Sequence, residues 1–161
     1  MKVREIMSAP PITVSPTDTL AFAEELMNVE RIRHLPVVDG DVLVGLLSQR
    51  DLLAASISTL SNPSEEDDLE LKRHVDVTRL MRGIVETATL ETPVEKAAET
   101  LLEHKVGCLP VIDERHHLVG IVTSADFVKL ARELITAPAP ARPPLSAVRG
   151  GGARGGKRKS A

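Results

Sequence analysis

The chain has 161 residues, 42% of them apolar, with two Phe, no Trp and no Tyr, so its core must be built from Val, Leu, Ile and Ala. That length serves one domain or two small ones and is too short for a TIM barrel carrying a further module. The net charge of −3 conceals a split: 14 Lys/Arg against 23 Asp/Glu up to Ile135, a balance of −9, then six Lys/Arg and no acid from Thr136 onward.

The lone Cys108 excludes an internal disulfide and suits a reducing compartment. The N-terminal residues lack the apolar run of a secretory signal, and no apolar segment has the length of a membrane span. A soluble cytoplasmic protein is expected.

Residues 1–11 form a short lead ending in Pro10-Pro11, and Ile12-Thr13-Val14 predicts a brief strand. Ser15-Pro16-Thr17-Asp18 predicts a turn with Asp18 as helix N-cap. The spacing of Leu20, Ala23, Leu26 and Met27 predicts an amphipathic helix over about 19–31. Leu35-Pro36-Val37-Val38 reads as a strand whose proline sits at a start or an edge. Asp39-Gly40 signals a hairpin, followed by a strand from Val42 to Leu47 that is apolar on both sides and expected to be buried. Ser48 opens a helix carrying Leu52, Leu53 and Ile57, which fades near Asn62-Pro63. Ser64-Glu65-Glu66-Asp67-Asp68 suits a first helical turn and reads as the start of a solvated helical linker.

The order then recurs. Thr92-Pro93-Val94-Glu95 predicts a capping box with proline at the first helical position. Val94, Ala97, Ala98, Leu101 and Leu102 make the expected buried stripe. Strands are predicted at about 109–112 and 118–123, and a helix from near Thr123 toward Ile135. From Thr136 the chain turns to Pro, Ala, Gly and Arg. Such a segment buries too little to offset its ordering entropy and is expected to be disordered.

The recurrence is a true internal repeat. Arg33-His34-Leu35-Pro36-Val37-Val38-Asp39 answers Gly107-Cys108-Leu109-Pro110-Val111-Ile112-Asp113. Gly45-Leu46-Leu47-Ser48-Gln49-Arg50-Asp51 answers Gly120-Ile121-Val122-Thr123-Ser124-Ala125-Asp126. One residue added in the 114–117 turn accounts for the change of offset between them. Ile6-Met7 answers Leu80-Met81, and Thr13 answers Thr87. Each unit reads as strand, helix, strand, strand, helix, an α+β or α/β class. The units are placed at 1–57 and 77–135, with an acidic helical connector at 58–76 and a tail at 136–161. One unit alone would expose an apolar sheet face, and pairing two across a pseudo-twofold axis would bury it.

These paired motifs resemble a tandem of cystathionine-β-synthase (CBS) domains, over about residues 2–133. The resemblance implies clefts between the units that bind adenosine-type ligands: AMP, ADP, ATP or S-adenosylmethionine. It implies that the Asp of a hydroxyl-x-x-Asp motif accepts from ribose hydroxyls while the Ser or Thr approaches the phosphate. Here those residues are Ser48 with Asp51 and Thr123 with Asp126. A carboxylate suits a vicinal diol, and a helix N-terminus offers free N–H groups to an anion. The same spacing also reads as a capping box, in which the side chains satisfy orphan backbone donors. The two roles are compatible.

The copies differ where phosphates would lie. Arg31, Arg33, His34 and Arg50 mark the first; Gly107, Cys108 and Ala125 replace the last three in the second. The expectation is one phosphate-competent site formed by Thr13, Arg33, His34, Ser48 and Asp51, with Pro36 in the adjoining strand. The second site, near Thr87, Cys108, Pro110, Thr123 and Asp126, would be weaker or take a less charged adenosyl compound. Arg31 and Arg33 also read as a solvated helix end.

Other chemistry is less well supported. His104 with Cys108, and His116-His117, lack the ligand set of a zinc site, and neither CxxC nor HExxH occurs. No GxSxG, GxGxxG or Walker loop is present, so no catalytic residue, metal or obligatory cofactor is expected. The Arg- and Gly-rich tail resembles segments that touch nucleic-acid backbones, though it has no aromatic to stack on bases; a solubilising role, folding back on the acidic body, is the alternative. The expectation is a stand-alone regulatory module, homodimeric by resemblance, that senses an adenosine nucleotide and signals to an unknown effector protein. The alternatives are a structural interaction protein without a ligand and a nucleic-acid-associated protein working through the tail.

Overall fold

The computed structural model describes residues 1–58 and 64–137. The expected helix fade at Asn62-Pro63 and the tail from 138 onward lie outside the described residues.

Helix α1 (Leu20–Glu30) buries Leu20, Ala23 and Met27 at helical spacing. Its cap is Thr19 rather than Asp18. The Thr19 hydroxyl accepts from the Phe22 N–H at 3.2 Å, while the Asp18 carboxylate accepts from the Ser15 N–H at 2.7 Å and closes the preceding turn. The chain leaves α1 through Arg31, whose φ of 55° is left-handed and whose N–H reaches the Met27 carbonyl. That is a helix C-cap geometry, so Arg31 serves the helix end.

Strands β1 (His34–Asp39) and β2 (Val42–Ser48) form an antiparallel hairpin. The register shifts at Val44, so that Val37 faces Gly45 while Val38 faces Leu43. The strand is not buried throughout: Gly45 and Leu47 are, but Val42 is 39% exposed. Alternate side chains leave opposite faces of a strand, and Val42 stands at the hairpin tip. Helix α2 (Gln49–Ser58) follows directly.

Helix α3 (Glu65–Arg73) is capped by Ser64, which exchanges hydrogen bonds with Asp67. It is more than a solvated linker. Lys72 is buried, with its Nζ 2.9 Å from Glu24 of α1 and 2.8 Å from Asp68. This ion triad fastens α3 to α1.

The second unit comprises β3 (Ala88–Thr89), α4 (Val94–Glu103), β4 (Cys108–Ile112), β5 (Leu118–Thr123) and α5 (Ser124–Thr136). β3 runs parallel to β4, as Val14 runs parallel to Val37. The β4–β5 hairpin repeats the first bulge, with Val111 opposite Gly120 and Ile112 opposite Leu118. The expected capping box of α4 does not form. Thr92 instead takes the Thr89 N–H at 2.9 Å, closing the turn before the helix, and Pro93 occupies the cap. Val94, Ala97 and Leu101 are buried, but Leu102 is 77% exposed; it lies one step off a stripe that three positions already fill.

The two cores are completed crosswise. Val3, on a short 3₁₀ turn (Val3–Glu5), is fully buried in the second unit's core with Leu109, Val111 and Val122. Val77, on the matching turn (Val77–Arg79), is fully buried in the first unit's core with Leu35, Val37 and Leu47. Ser8 pairs with Ile121 on β5, and Arg82 pairs with Leu46 on β2. Gly45 and Gly120 permit this approach: a Cβ on Gly45 would lie 3.0 Å from the Arg82 carbonyl oxygen, and one on Gly120 would lie 3.2 Å from that of Ser8. The hairpin tips also meet, through the Leu43 N–H on the His116 carbonyl and the Leu118 N–H on that of Asp41. The units are thus joined by a pseudo-twofold exchange of their lead segments. No helix among the described residues is long and apolar enough to cross a membrane.

Candidate functional site

Asp51 and Asp126 occupy the first turns of α2 and α5, each just past the end of a strand. The local chemistry is the same in both. The Asp51 Oδ2 accepts from the Ser48 N–H at 3.0 Å and from the Ser48 hydroxyl, while that hydroxyl oxygen accepts from the Asp51 N–H at 3.2 Å. The Asp126 Oδ2 accepts from the Thr123 N–H at 2.8 Å and from the Thr123 hydroxyl at 2.9 Å. Each pair therefore caps its helix, and in each the second carboxylate oxygen is left for another partner.

That second partner differs. Asp51 Oδ1 receives Nε and Nη2 of Arg82 at 3.2 and 2.8 Å, from the lead of the second unit. Asp126 Oδ1 receives Nζ of Lys129, on its own helix, at 3.0 Å. Neither cation figures in the sequence expectations. Both had a signal: Arg82 directly follows Leu80-Met81 in the repeated lead, and Lys129 stands three residues from Asp126, within reach on a helix.

Around Asp51 the field is positive. Burial alone would raise its pKa, but the hydrogen bonds from Ser48 and Arg82 outweigh that and hold the carboxyl below its usual range. His34 pairs with Ser48 across the hairpin. Burial, followed by the neighbouring Arg33 and Arg50, pushes the imidazole pKa down, with Asp51 pulling against them. Arg33 and Arg50 are exposed. At the positions answering Arg33 and Arg50, the second unit has Gly107 and Ala125.

The expected lining residues are not all accessible. Pro36 and Pro110 are fully buried and Cys108 is 2% exposed, so these three side chains lie in the interior and present no open surface. Burial pushes the Cys108 thiol up to about 12, which keeps it a neutral, unreactive group. Thr13 precedes Val14, which pairs with Val37 on the outer edge of β1. Thr87 directly precedes β3, which pairs with β4 of the second unit. It lines a cavity of about 220 Å³ with Leu43, Val44 and Gly45 of β2, with Gly83 and Val85, and with Ile112 and His116 of the second hairpin. A larger hollow of about 550 Å³ between α1 and α3, walled by Phe22, Val29, Leu69 and Arg73, holds none of the motif residues. The histidines weighed as ligands are engaged otherwise, His104 with Glu86 at 3.2 Å and His117 with Asp113 at 3.1 Å. No cluster of three or more His, Cys, Asp or Glu able to hold a metal occurs among the described residues.

The second unit is β-α-β-β-α, while in the first the expected strand at Ile12-Thr13-Val14 is reduced to the single bridge of Val14 to Val37; the two are joined by exchanged leads, and each has a hydroxyl–Asp pair at a helix start. Residues 3–58 and 76–133 each match the CBS domain, and the chain belongs to that family as a tandem pair. It is 36% identical over 129 residues to a CBS domain-containing protein of Dictyostelium discoideum, covering 80% of this chain and 89% of that one. It is 34% identical over 129 residues to the inosine-5'-monophosphate dehydrogenase of Methanocaldococcus jannaschii, but spans 23% of that enzyme's length. Among solved structures it resembles a Vibrio cholerae protein described under acetoin utilization (TM-score 0.71, 36% identity, 84% of this chain and 93% of that one). It also resembles the CBS domain pair of protein MJ0100 in complex with 5'-methylthioadenosine and S-adenosyl-L-methionine (TM-score 0.68, 29% identity, 81% and 99%). A third likeness is to CBSX2 in complex with AMP (TM-score 0.70, 29% identity, 83% and 98%).

Proposed function

We propose that this CBS pair is a regulatory sensor of an adenosine nucleotide or adenosyl compound, and that the cleft at Ser48 and Asp51 is its phosphate-competent site. The observation that carries the reading is the pair of carboxylates, each held by its own Ser or Thr at a helix N-terminus, with Arg82, Arg33 and Arg50 near Asp51 and Lys129 on Asp126. A carboxylate so placed accepts from a ribose diol, and Arg33, Arg50 and the free N–H groups of α2 suit a phosphate. The cleft at Thr123 and Asp126, where Gly107 and Ala125 replace two arginines, suits a less charged adenosyl group. The relatives in complex with AMP and with S-adenosyl-L-methionine support both ligand classes.

The module acts through a partner protein or its own dimer, without catalysis of its own. A ligand shifts such an equilibrium only as far as its affinities for the two states differ. A second reading is a structural pair that binds no ligand. It is favoured by the fact that Asp51 and Asp126 already have both oxygens engaged within the chain.

A thermal-shift screen with AMP, ADP, ATP and S-adenosylmethionine separates the two. A ligand at 100 times its dissociation constant adds about 2.7 kcal/mol of stability, and no shift with any of them sinks the sensor reading. Calorimetry on Asp51→Asn and Asp126→Asn then tests the asymmetry, since an equal loss of AMP affinity in both contradicts it.

A further inference from the structure

Arg82 is fixed at its backbone, and its exposed tip is held by Asp51. Its N–H donates to the Leu46 carbonyl at 2.9 Å, and its carbonyl accepts from the Leu46 N–H at 3.0 Å. The side chain is 62% exposed, whereas that of Asp51 is 13% exposed. The guanidinium therefore covers the carboxylate from the solvent side and is the movable member of the pair. With Oδ2 held by Ser48, every hydrogen bond a diol would place on Asp51 Oδ1 competes with Arg82.

The neighbourhood says where a displaced guanidinium would go. Gly83, the next residue, lines the cavity with Thr87, and a Cβ there would meet nothing within 4 Å, so the space beside Arg82 is open. Arg33 and Arg50 lie close enough to His34 to depress its pKa, and Asp51 close enough to oppose them. Releasing Asp51 leaves three arginines around one cleft. The other cleft has no equivalent. The residue paired with β5 as Arg82 is with β2 is Ser8, and Asp126 draws its cation from its own helix.

Resting on the sensor reading above, we infer that Arg82 determines the ligand class of the first cleft: a ribose diol displaces its guanidinium from Asp51, and the guanidinium then pairs with the phosphate of the same ligand. The cleft so built selects 5'-phosphorylated adenosines. Adenosine must also displace Arg82 but supplies no anion in return, and an adenosyl cation fares worse still. The price of opening the Asp51 ion pair is recovered by phosphorylated ligands alone.

Calorimetry with AMP and adenosine on the wild type, Arg82→Ala, Arg82→Lys and Lys129→Ala tests this. A charge-assisted bond gained against one lost predicts that the wild type prefers AMP by about tenfold or more. Arg82→Ala should bring that preference to within about threefold, with adenosine bound no more weakly than by the wild type. Arg82→Lys should keep part of the preference, and Lys129→Ala should leave it unchanged. Should Arg82→Ala unfold, Arg82→Gln, which keeps a hydrogen bond to Asp51 without the charge, must lower the preference in the same way. An unaltered AMP-to-adenosine ratio in Arg82→Ala or Arg82→Gln, or an equal loss of both ligands, overturns the role of Arg82 and leaves the sensor reading standing. A wild type that binds neither compound overturns both.

Discussion

The imidazole of His34 lies directly on the Cα of Gly107, where a methyl group would stand 2.7 Å from two of its ring atoms. His34 opens β1 and Gly107 precedes β4, so this contact joins the two units at matching ends of their hairpins. It also fixes the ring that faces Arg33, Arg50 and Asp51. Gly107→Ala forces the ring aside and should cost about 1–3 kcal/mol, the usual range for overpacking. His34→Ala removes the obstacle. The double variant should therefore be more stable than the sum of the single losses requires, measured by urea unfolding. Strict additivity would show that the contact carries no strain when Gly107 is enlarged.

The same histidine gives the fold a pH dependence. Burial and Arg33 lower its pKa below the ordinary 6.5, with Asp51 opposing and Arg50 adding to the depression. In the unfolded chain the imidazole takes a proton near 6.5, while in the native state it resists until lower pH. Between those two values the unfolded state binds more protons, so stability falls on acidification. The contribution is whole above the unfolded pKa and is lost as pH drops through the folded one. His34→Gln should flatten the stability curve over that window relative to the wild type, as read by urea midpoints at a series of pH values. A slope unchanged in His34→Gln would assign the effect to another group.

Lys72 supplies a third test. Its ammonium is buried between Glu24 and Asp68, and although burial disfavours its charge, the hydrogen bonds to Asp68 and Glu24 raise its pKa. Lys72→Met keeps much of the apolar stem and removes the charge, leaving two half-buried carboxylates facing each other. A loss of about 1–3 kcal/mol is expected for the unpaired acceptors. The triple change Lys72→Met, Glu24→Gln, Asp68→Asn should recover part of it, because it removes the stranded charges too. Thermal melts compare the three proteins. A Lys72→Met melt equal to the wild type would mean that α3 is not fastened to α1 by this triad.

What could be read from the sequence was what is decided locally. The hairpins at Asp39-Gly40 and Asp113–His117, and the helices that follow Ser48 and Thr123, depend on residues within a few positions of each other. Both copies report them in register. Caps were less legible, because Asp18 and Thr92 were claimed by the N–H groups of Ser15 and Thr89 in the turns before the helices. Local pattern could not say which turn would win. Leu102 was misplaced because apolar identity does not fix the width of a buried stripe. The exchange of leads was out of reach altogether: Val3 hydrogen-bonds to Thr92 and Val77 to Asp18, and an apolar residue does not state which copy of a repeated core it enters. The same gap hid Arg82, whose partner Asp51 belongs to the other unit.

That exchange yields a prediction with a crosswise signature. Val3 and Val77 are both wholly buried, each among the core residues of the unit it does not precede directly. Truncation to Ala leaves a small cavity and should cost about 1–3 kcal/mol at either site, by the usual scale for buried methyl groups. The location of the damage is the sharper readout. In Val3→Ala, hydrogen exchange should speed up in β4 and β5, which Val3 packs against, while β1 and β2 are little affected. In Val77→Ala the order should reverse, with β1 and β2 loosened. Native-state exchange resolves such local openings because elements differ in their opening free energy. If Val3→Ala loosened β1 and β2 instead, each lead would belong to its own unit's core, and the coupling of Arg82 to Asp51 across the units would lose its structural basis.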